Sequence, residues 1–353
     1  MSVTIRELAK VAGVSITTVS RVLNNNEHAV NLETKQRILS LAEELGYQPN
    51  IAARSLRNDR TEMIGVVADS TISPFTPVII HAIEKYLKQH GYVCIFINTS
   101  WNPEKEKKAV RDLLSRSADG IIFVESWHQN TNQDLDLANK PYVFVHRLFN
   151  APNKHSVIPD EIYGAEVATR HLVQLGHKRI GFINGPTNYF ATSLRLKGYE
   201  QELSKFQIEF DKNLISDGNW GIQSGYDACK QLLLLSHPPS AIFAANDLMA
   251  LGAIYAAQDS GLRVPEDLAI VGYDDRDIAS LVRPAITTVS LPAYEMGETA
   301  AKMVLSLIKN HDEYQEEIKL KGQLIIRQSC GDVSGDQFTW PNYAGTRWEG
   351  KYQ

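Results

Sequence analysis

No stretch of this 353-residue chain approaches the ~18 consecutive apolar residues that a membrane span needs. The opening segment, MSVTIRELAK, carries acid early and has no apolar core of the kind a secretory leader shows, so a cytoplasmic location is expected. Cysteine is scarce. Cys94, Cys229 and Cys330 are an odd set without a CxxC, which argues against a disulfide framework or a zinc cluster and fits a reducing compartment. Ten histidines are scattered without an HExxH. There is no GxxxxGK[ST], no GxGxxG after the first strand and no GxSxG elbow, so no catalytic residue, metal or cofactor is expected. Asp274 and Asp275 are the nearest thing to an acid pair, but neighbours on one segment usually point apart.

The rest of the composition is that of an ordinary globular protein: 43% apolar, 22% charged, with 22 Gly and 14 Pro. At roughly 150 residues per domain the length implies two to three domains. The net charge of −5 is unevenly spread. Residues 1–60 carry eight Lys/Arg against six Asp/Glu, a balance of +2, and the remainder carries −7. A mildly basic head on an acidic body suggests an anionic partner for the head alone.

Within that head, Thr4 and Glu7 have capping-box spacing, followed by Ile5, Leu8, Ala9 and Ala12 at helical period. Gly13 can take the left-handed turn that ends a helix, and Ser15 can cap a second one running to about Leu23. Asn24, Asn25 and Asn26 interrupt the chain. Asn31 then opens a third helix with Ile38, Leu41, Ala42 and Leu45 on one face, stopped by Gly46. Three short helices with a tight turn between the first two form the helix-turn-helix arrangement, whose second helix enters the major groove. On that helix Val19, Val22 and Leu23 point inward, whereas Ile16, Thr17, Ser20 and Arg21 point out. An outward Ile beside small hydroxyls suits thymine methyls and base edges, and Arg21 can reach a guanine or a phosphate. Thr4, Ser15 and Asn24 join these as candidate DNA contacts. The competing reading is a generic three-helix bundle.

Pro49 blocks continuation of the third helix. Asn50 can cap a short apolar segment, Ile51 to Leu56, that is too short to be helical alone in water. Such a segment can fold when DNA supplies its partner. Leu56 is then a candidate wedge between minor-groove base steps, with Asn50, Ala53, Arg54 and Arg57 beside it. A plain linker is the alternative.

From Met63 the period changes to short β-branched strands alternating with amphipathic helices. Strands are expected at 63–69, 92–98, 119–125, 141–146, 179–185, 240–246, 268–275 and 323–329. Helices are expected near 77–90, 104–116, 161–175, 193–204, 221–235, 247–260 and 293–309. This is an α/β body of two doubly wound parallel lobes, with a ligand crevice at the carboxyl ends of the strands. The expected boundaries are a head at 1–48, a hinge at 49–61 and a body at 62–331. Within the body, the first lobe covers about 62–158 plus 290–328, and the second about 159–289. Ser73, Phe75, His146, Arg195, Trp220, Asn246, Asp247 and Asp274 collect at strand ends. Arg, Asn and Asp can hydrogen-bond several hydroxyls, and Trp220 can stack on a sugar face.

TIRELAKVAGVSITTVSRVLNN, YQPNIAARSL, LGHKRIGFINGP, NDLMALGA, VPEDLAIVGYDD, RPAITTV and LIIRQS together resemble the lac repressor and galactose repressor family of bacterial transcription regulators, over about residues 3–331. The resemblance implies a periplasmic-binding-protein-like body, a homodimer on near-palindromic operator DNA, and hinge helices inserting Leu56. It also implies a small effector, a sugar by preference, between the lobes. Sugar-binding members have residues matching Arg195, Trp220, Asn246 and Asp274. Phe75 falls where the family lines the first-lobe wall, and Asp160 falls near the crossover. One departure stands out: the family often has Asp before Arg after the fourth strand, where this chain has His146-Arg147, a pattern that fits a different or acidic ligand. The alternatives are a purine-type corepressor or a sugar-transport protein without a regulatory role. The tail, 332–353, carries two Trp and two Tyr but no heptads, so a tetramerising coiled coil is not expected.

Overall fold

The computed structural model describes residues 3–23, 30–47, 60–125, 135–147, 155–309 and 317–331. The chain forms two compact units, Met1–Glu62 and Met63–Gln353. Asn24, Asn50, Ala53, Arg54, Leu56, Arg57 and the 332–353 tail lie outside the described residues.

The first unit contains α1 (Ile5–Ala12), α2 (Ile16–Leu23) and α3 (Leu32–Glu44). Thr4 and Glu7 complete the capping box. The Thr4 N–H donates to Glu7 Oε2 at 2.7 Å, and the Glu7 N–H donates to Thr4 Oγ1 at 3.3 Å. Gly13 has φ +64°, a conformation that costs a side chain energy, and this turn sets the angle between α1 and α2. The Thr18 N–H donates to Ser15 Oγ at 3.1 Å, and the Thr34 N–H to Asn31 Oδ1 at 2.8 Å, so the expected caps form. Leu8, Ala9, Ala12, Val19, Val22, Ile38 and Ala42 make one small core.

The second unit runs β1 (Met63–Ala68), α4 (Thr76–Gln89), β2 (Val93–Asn98), α5 (Pro103–Ser115), β3 (Gly120–Val124), β4 (Tyr142–Val145), β5 (Ser156–Pro159) and α6 (Glu161–Gln174). It continues with β6 (Ile180–Asn184), α7 (Phe190–Lys205), β7 (Ile215–Asp217), α8 (Ile222–Leu233), β8 (Ala241–Ala244), α9 (Asp247–Asp259) and β9 (Ala269–Asp274). It closes with α10 (Asp277–Leu281), β10 (Thr287–Ser290), α11 (Ala293–Ile308), β11 (Glu317–Leu320) and β12 (Leu324–Ile325). One sheet has the order β11-β5-β4-β3-β1-β2, and the other β12-β10-β9-β8-β6-β7. All pairings are parallel except β12 with β10.

The strand pleat explains why both faces of the first sheet are apolar. Ile64, Val66 and Ala68 pack with Ile79, Ile83 and the α11 residues Met296, Ala300 and Val304, whereas Val67, Ile121 and Phe123 pack with Ala109, Val110 and Leu113 of α5. The second lobe has its own core, including Phe182, Tyr199, Phe243 and Tyr273.

Two placements differ from expectation. The 323–329 segment was assigned to the first lobe, but Leu324–Ile325 pairs with β10 in the second sheet. The first lobe is completed instead by β11, which pairs with β5. The chain therefore passes between the lobes three times, near 160, 291 and 322. Those passages are tied together. The Asp160 N–H donates to Leu320 O at 2.8 Å, and the Ser290 N–H donates to Gln323 O at 2.8 Å.

Candidate functional site

In the first unit the outward face of α2 is as expected. Ile16, Thr17 and Arg21 are exposed and Ser20 is half-buried, with Val19 and Val22 in the core. Ile16 is 46% exposed at the helix start, an apolar surface that gains nothing from water. Thr4 and Ser15 are also exposed, and their hydroxyls cap helices.

In the second unit a cavity of about 290 Å³ opens at the carboxyl ends of the strands. Seven of the nine residues expected around an effector line it: Ser73, Phe75, His146, Arg195, Trp220, Asn246 and Asp274. Trp101, Tyr189, Leu248 and Arg276 also line it and were not anticipated. Trp101 and Tyr189 are separated by more than 80 residues of chain, so nothing in a local pattern pairs them.

Arg195 organises the polar wall. It is buried on α7 over the Tyr273 ring, with its guanidinium carbon 3.7 Å from the ring centroid. Its Nε donates to Glu161 Oε2 at 2.7 Å and its Nη2 to Glu161 Oε1 at 3.0 Å, a bidentate fork. Its Nη1 donates to the Ala245 carbonyl. Asp274 Oδ1 stands 3.6 Å from Nη2, close enough for charge attraction and too long for a hydrogen bond. Burial opposes the charge on Arg195, but Glu161, Tyr273 and Asp274 together outweigh it, so the guanidinium pKa is raised and the group stays cationic. Burial pushes the Asp274 carboxyl up to about 7, against the pull of Arg195 and Arg276. Burial likewise lowers the His146 pKa and favours the neutral ring, whose Nδ1 lies 3.2 Å from the Glu125 carbonyl.

Trp220 supplies an apolar surface beside Arg195, with the guanidinium carbon 5.8 Å from the Trp220 ring centroid. A side chain on Gly185 would meet its indole at 2.1 Å, so only glycine there lets the ring lie against the backbone. Tyr189 packs edge-on at 6.0 Å, and Asn246 Nδ2 donates to the Trp220 carbonyl at 3.0 Å while its Oδ1 caps α9. Trp101, His146, Trp220 and Asp274 all have positive φ, at 55°, 63°, 68° and 105°. Backbone strain at four lining residues marks a surface shaped for something other than stability.

The structure does not bring Arg147 or Asp160 to the cavity lining. Arg147 is buried in the first lobe, where Nε donates to Glu125 Oε1 at 2.5 Å and Nη2 to Glu106 Oε1 at 3.1 Å, over the Phe144 ring. Asp160 caps α6 by accepting from the Tyr163 N–H at 3.1 Å. Its neighbour Glu161, which sequence reasoning passed over, holds Arg195. Its only local signal is an acid in the first turn of a helix, which usually serves the helix dipole. Asp247 is buried behind the site. Its Oδ1 accepts from Thr288 Oγ1 at 2.6 Å and its Oδ2 from the Arg276 N–H at 2.7 Å. Among the described residues, no group of three His, Cys, Asp or Glu is placed to hold a metal ion, and no helix is long and apolar enough to cross a membrane.

Comparison with known proteins agrees with both units. Residues 4–50 match the bacterial regulatory proteins of the lacI family, and residues 169–330 match the periplasmic binding protein-like domain. The HTH-type transcriptional repressor PurR of Mannheimia succiniciproducens is 33% identical over 94% of this chain and 99% of its own length. Among solved structures, the lac repressor dimer bound to operator and the anti-inducer ONPF is 30% identical with a TM-score of 0.75, covering 93% of this chain and 99% of that one. The transcriptional regulator CelR in complex with cellobiose is 31% identical with a TM-score of 0.67 over the same shares. With both units matched and full-length relatives above 30% identity, the chain belongs to the lacI family of bacterial regulatory proteins, as a DNA-binding transcription regulator and not an enzyme.

Proposed function

We propose that this regulator represses transcription in the cytoplasm as a homodimer on a near-palindromic operator, and that a small sugar or sugar derivative between the lobes sets its grip on DNA. Two α2 helices occupy successive major-groove half-sites, with Ile16, Thr17, Ser20 and Arg21 on base edges and phosphates. Residues 49–61 form the hinge, where Leu56 wedges into the minor groove flanked by Asn50, Ala53, Arg54 and Arg57. The observation that carries the sugar reading is one cavity that pairs the Trp220 face with Asp274, Asn246 and Arg195. An apolar ring face and hydroxyl-binding groups in one cavity fit the apolar and polar surfaces of a sugar. The three tied passages between the lobes allow hinge closure on a ligand. The effector acts only through different affinities for two states of the protein, and a coupling of about 1–3 kcal/mol changes operator affinity some 5–150-fold.

The relatives named PurR favour a second reading, a purine base stacked on Trp220. Operator binding measured with and without sugars and purine bases separates the two. A sugar that shifts operator affinity supports the first reading, and a shift produced only by a purine replaces it. Operator affinity that survives deletion of residues 1–60 overturns the assignment of the head.

A further inference from the structure

The cavity holds two guanidinium groups with different surroundings. Arg195 is matched: Glu161 takes two of its N–H groups, Ala245 takes a third and Asp274 stands beside it. Arg276 lines the same cavity and is half-buried, but its guanidinium has no hydrogen bond or ion pair among the described residues. Its charge reaches Asp274 and favours the ionised carboxylate there, and that carboxylate is already shared with Arg195.

The backbone holds Arg276 firmly in place. Its N–H donates to buried Asp247, and the preceding Asp275 places Oδ1 2.5 Å from Arg327 Nη2. The kink at Asp274 and Asp275, φ 105° and 52°, turns the chain into the cavity wall at this point. A guanidinium held at a cavity wall is hydrated while the cleft is open. When the lobes close on a ligand, that water is reduced, and a neutral ligand leaves a cation without a counter-charge, which is costly in a low-dielectric site. A ligand carrying phosphate or carboxylate matches it with paired charge-assisted hydrogen bonds.

We propose that Arg276 is a specificity residue that reads an anionic group on the effector, so that the ligand is a sugar bearing phosphate or carboxylate and not a neutral sugar. The proposal rests on the cleft being the effector site. Asp274 then serves the hydroxyls, Trp220 the ring face and Arg276 the charge.

The test is calorimetric titration of the full chain with matched ligands: glucose and galactose, their 6-phosphates, glucuronate and galacturonate, and hypoxanthine. Support is an acid or phosphate that binds at least ten-fold tighter than its neutral parent and loses about 10- to 100-fold in Arg276→Gln, with partial rescue in Arg276→Lys and little change for the neutral parent. Whether the phosphates or the uronates show this preference identifies the source of the charge. A neutral sugar or purine that binds as tightly as any anion, with binding sensitive to Trp220→Ala, overturns the role of Arg276 and leaves the cleft intact as the effector site. Binding that is absent for every ligand, or insensitive to Trp220→Ala, overturns both.

Discussion

Among the described residues, the second unit buries two arginines, each set against an aromatic ring and two carboxylates, and they serve different ends. Arg147 lies over Phe144 with Glu125 and Glu106, sealed in the first lobe. Arg195 lies over Tyr273 with Glu161 and Asp274, at the wall of the cavity. The difference lies in the second carboxylate. Glu106 is within hydrogen-bond reach of Arg147 at 3.1 Å, whereas Asp274 is 3.6 Å from Arg195 and borders open space. A network with one loosely held member at a surface can exchange that contact for a ligand. A closed network can only be kept or broken.

The largest expected effect falls on the closed network. Arg147→Met leaves Glu125 and Glu106 facing each other unpaired, and chemical denaturation is expected to show a loss of about 3–5 kcal/mol, with effector affinity of the folded protein within about two-fold of the parent. Loss of effector binding at unchanged stability would erase the distinction between the two arginines. On the open side, Trp220→Ala is expected to weaken effector binding by about 10- to 100-fold while operator affinity without effector is retained, as read by titration and by electrophoretic mobility shift.

A pH series sharpens the comparison further. The folded pKa of Asp274 lies at about 7, above its ordinary 3.8. Below about 4 the carboxyl is neutral in both folded and unfolded chains and costs nothing. As pH rises toward 7 the unfolded chain ionises first, so stability falls, and the full penalty is in force above 7. Asp274→Asn is therefore expected to flatten the decline in unfolding free energy between about pH 4 and 7. An unchanged slope would show that Asp274 contributes nothing to it. The smallest effect belongs to the head. Thr4→Ala removes the α1 cap and is expected to cost about 1 kcal/mol in thermal unfolding of that unit, leaving the body's transition in place.

The elements were legible wherever their signal is local. Thr4, Gly13 and Asn31 announce helix ends because caps and left-handed turns are made within four residues. The strands from Met63 onward read clearly because both faces of a covered parallel sheet are apolar. The short strands β5, β7, β10 and β11 escaped because each mixes polar or proline residues into three or four positions, without the continuous apolar run that marks the equally short β4 and β8. Leu324–Ile325 was assigned to the wrong lobe because pairing partners are chosen across the whole chain. The aromatic and polar anchors of the cleft were found because strand ends of an α/β fold are a topological prediction. Glu161, Trp101, Tyr189 and Arg276 were not.

The sequence by itself determined a helix-turn-helix head with its outward α2 face, an α/β body and the strand ends where a ligand would sit. All of these follow from capping chemistry and hydrophobic period over a few residues. Only the tertiary structure decided that Arg195 is held by Glu161 and not Asp160, that Arg147 is turned into the first-lobe core, and that Arg276 reaches the cavity. Those outcomes depend on which distant charge a guanidinium meets once water is gone. That encounter is set by how strands far apart in the chain are brought side by side.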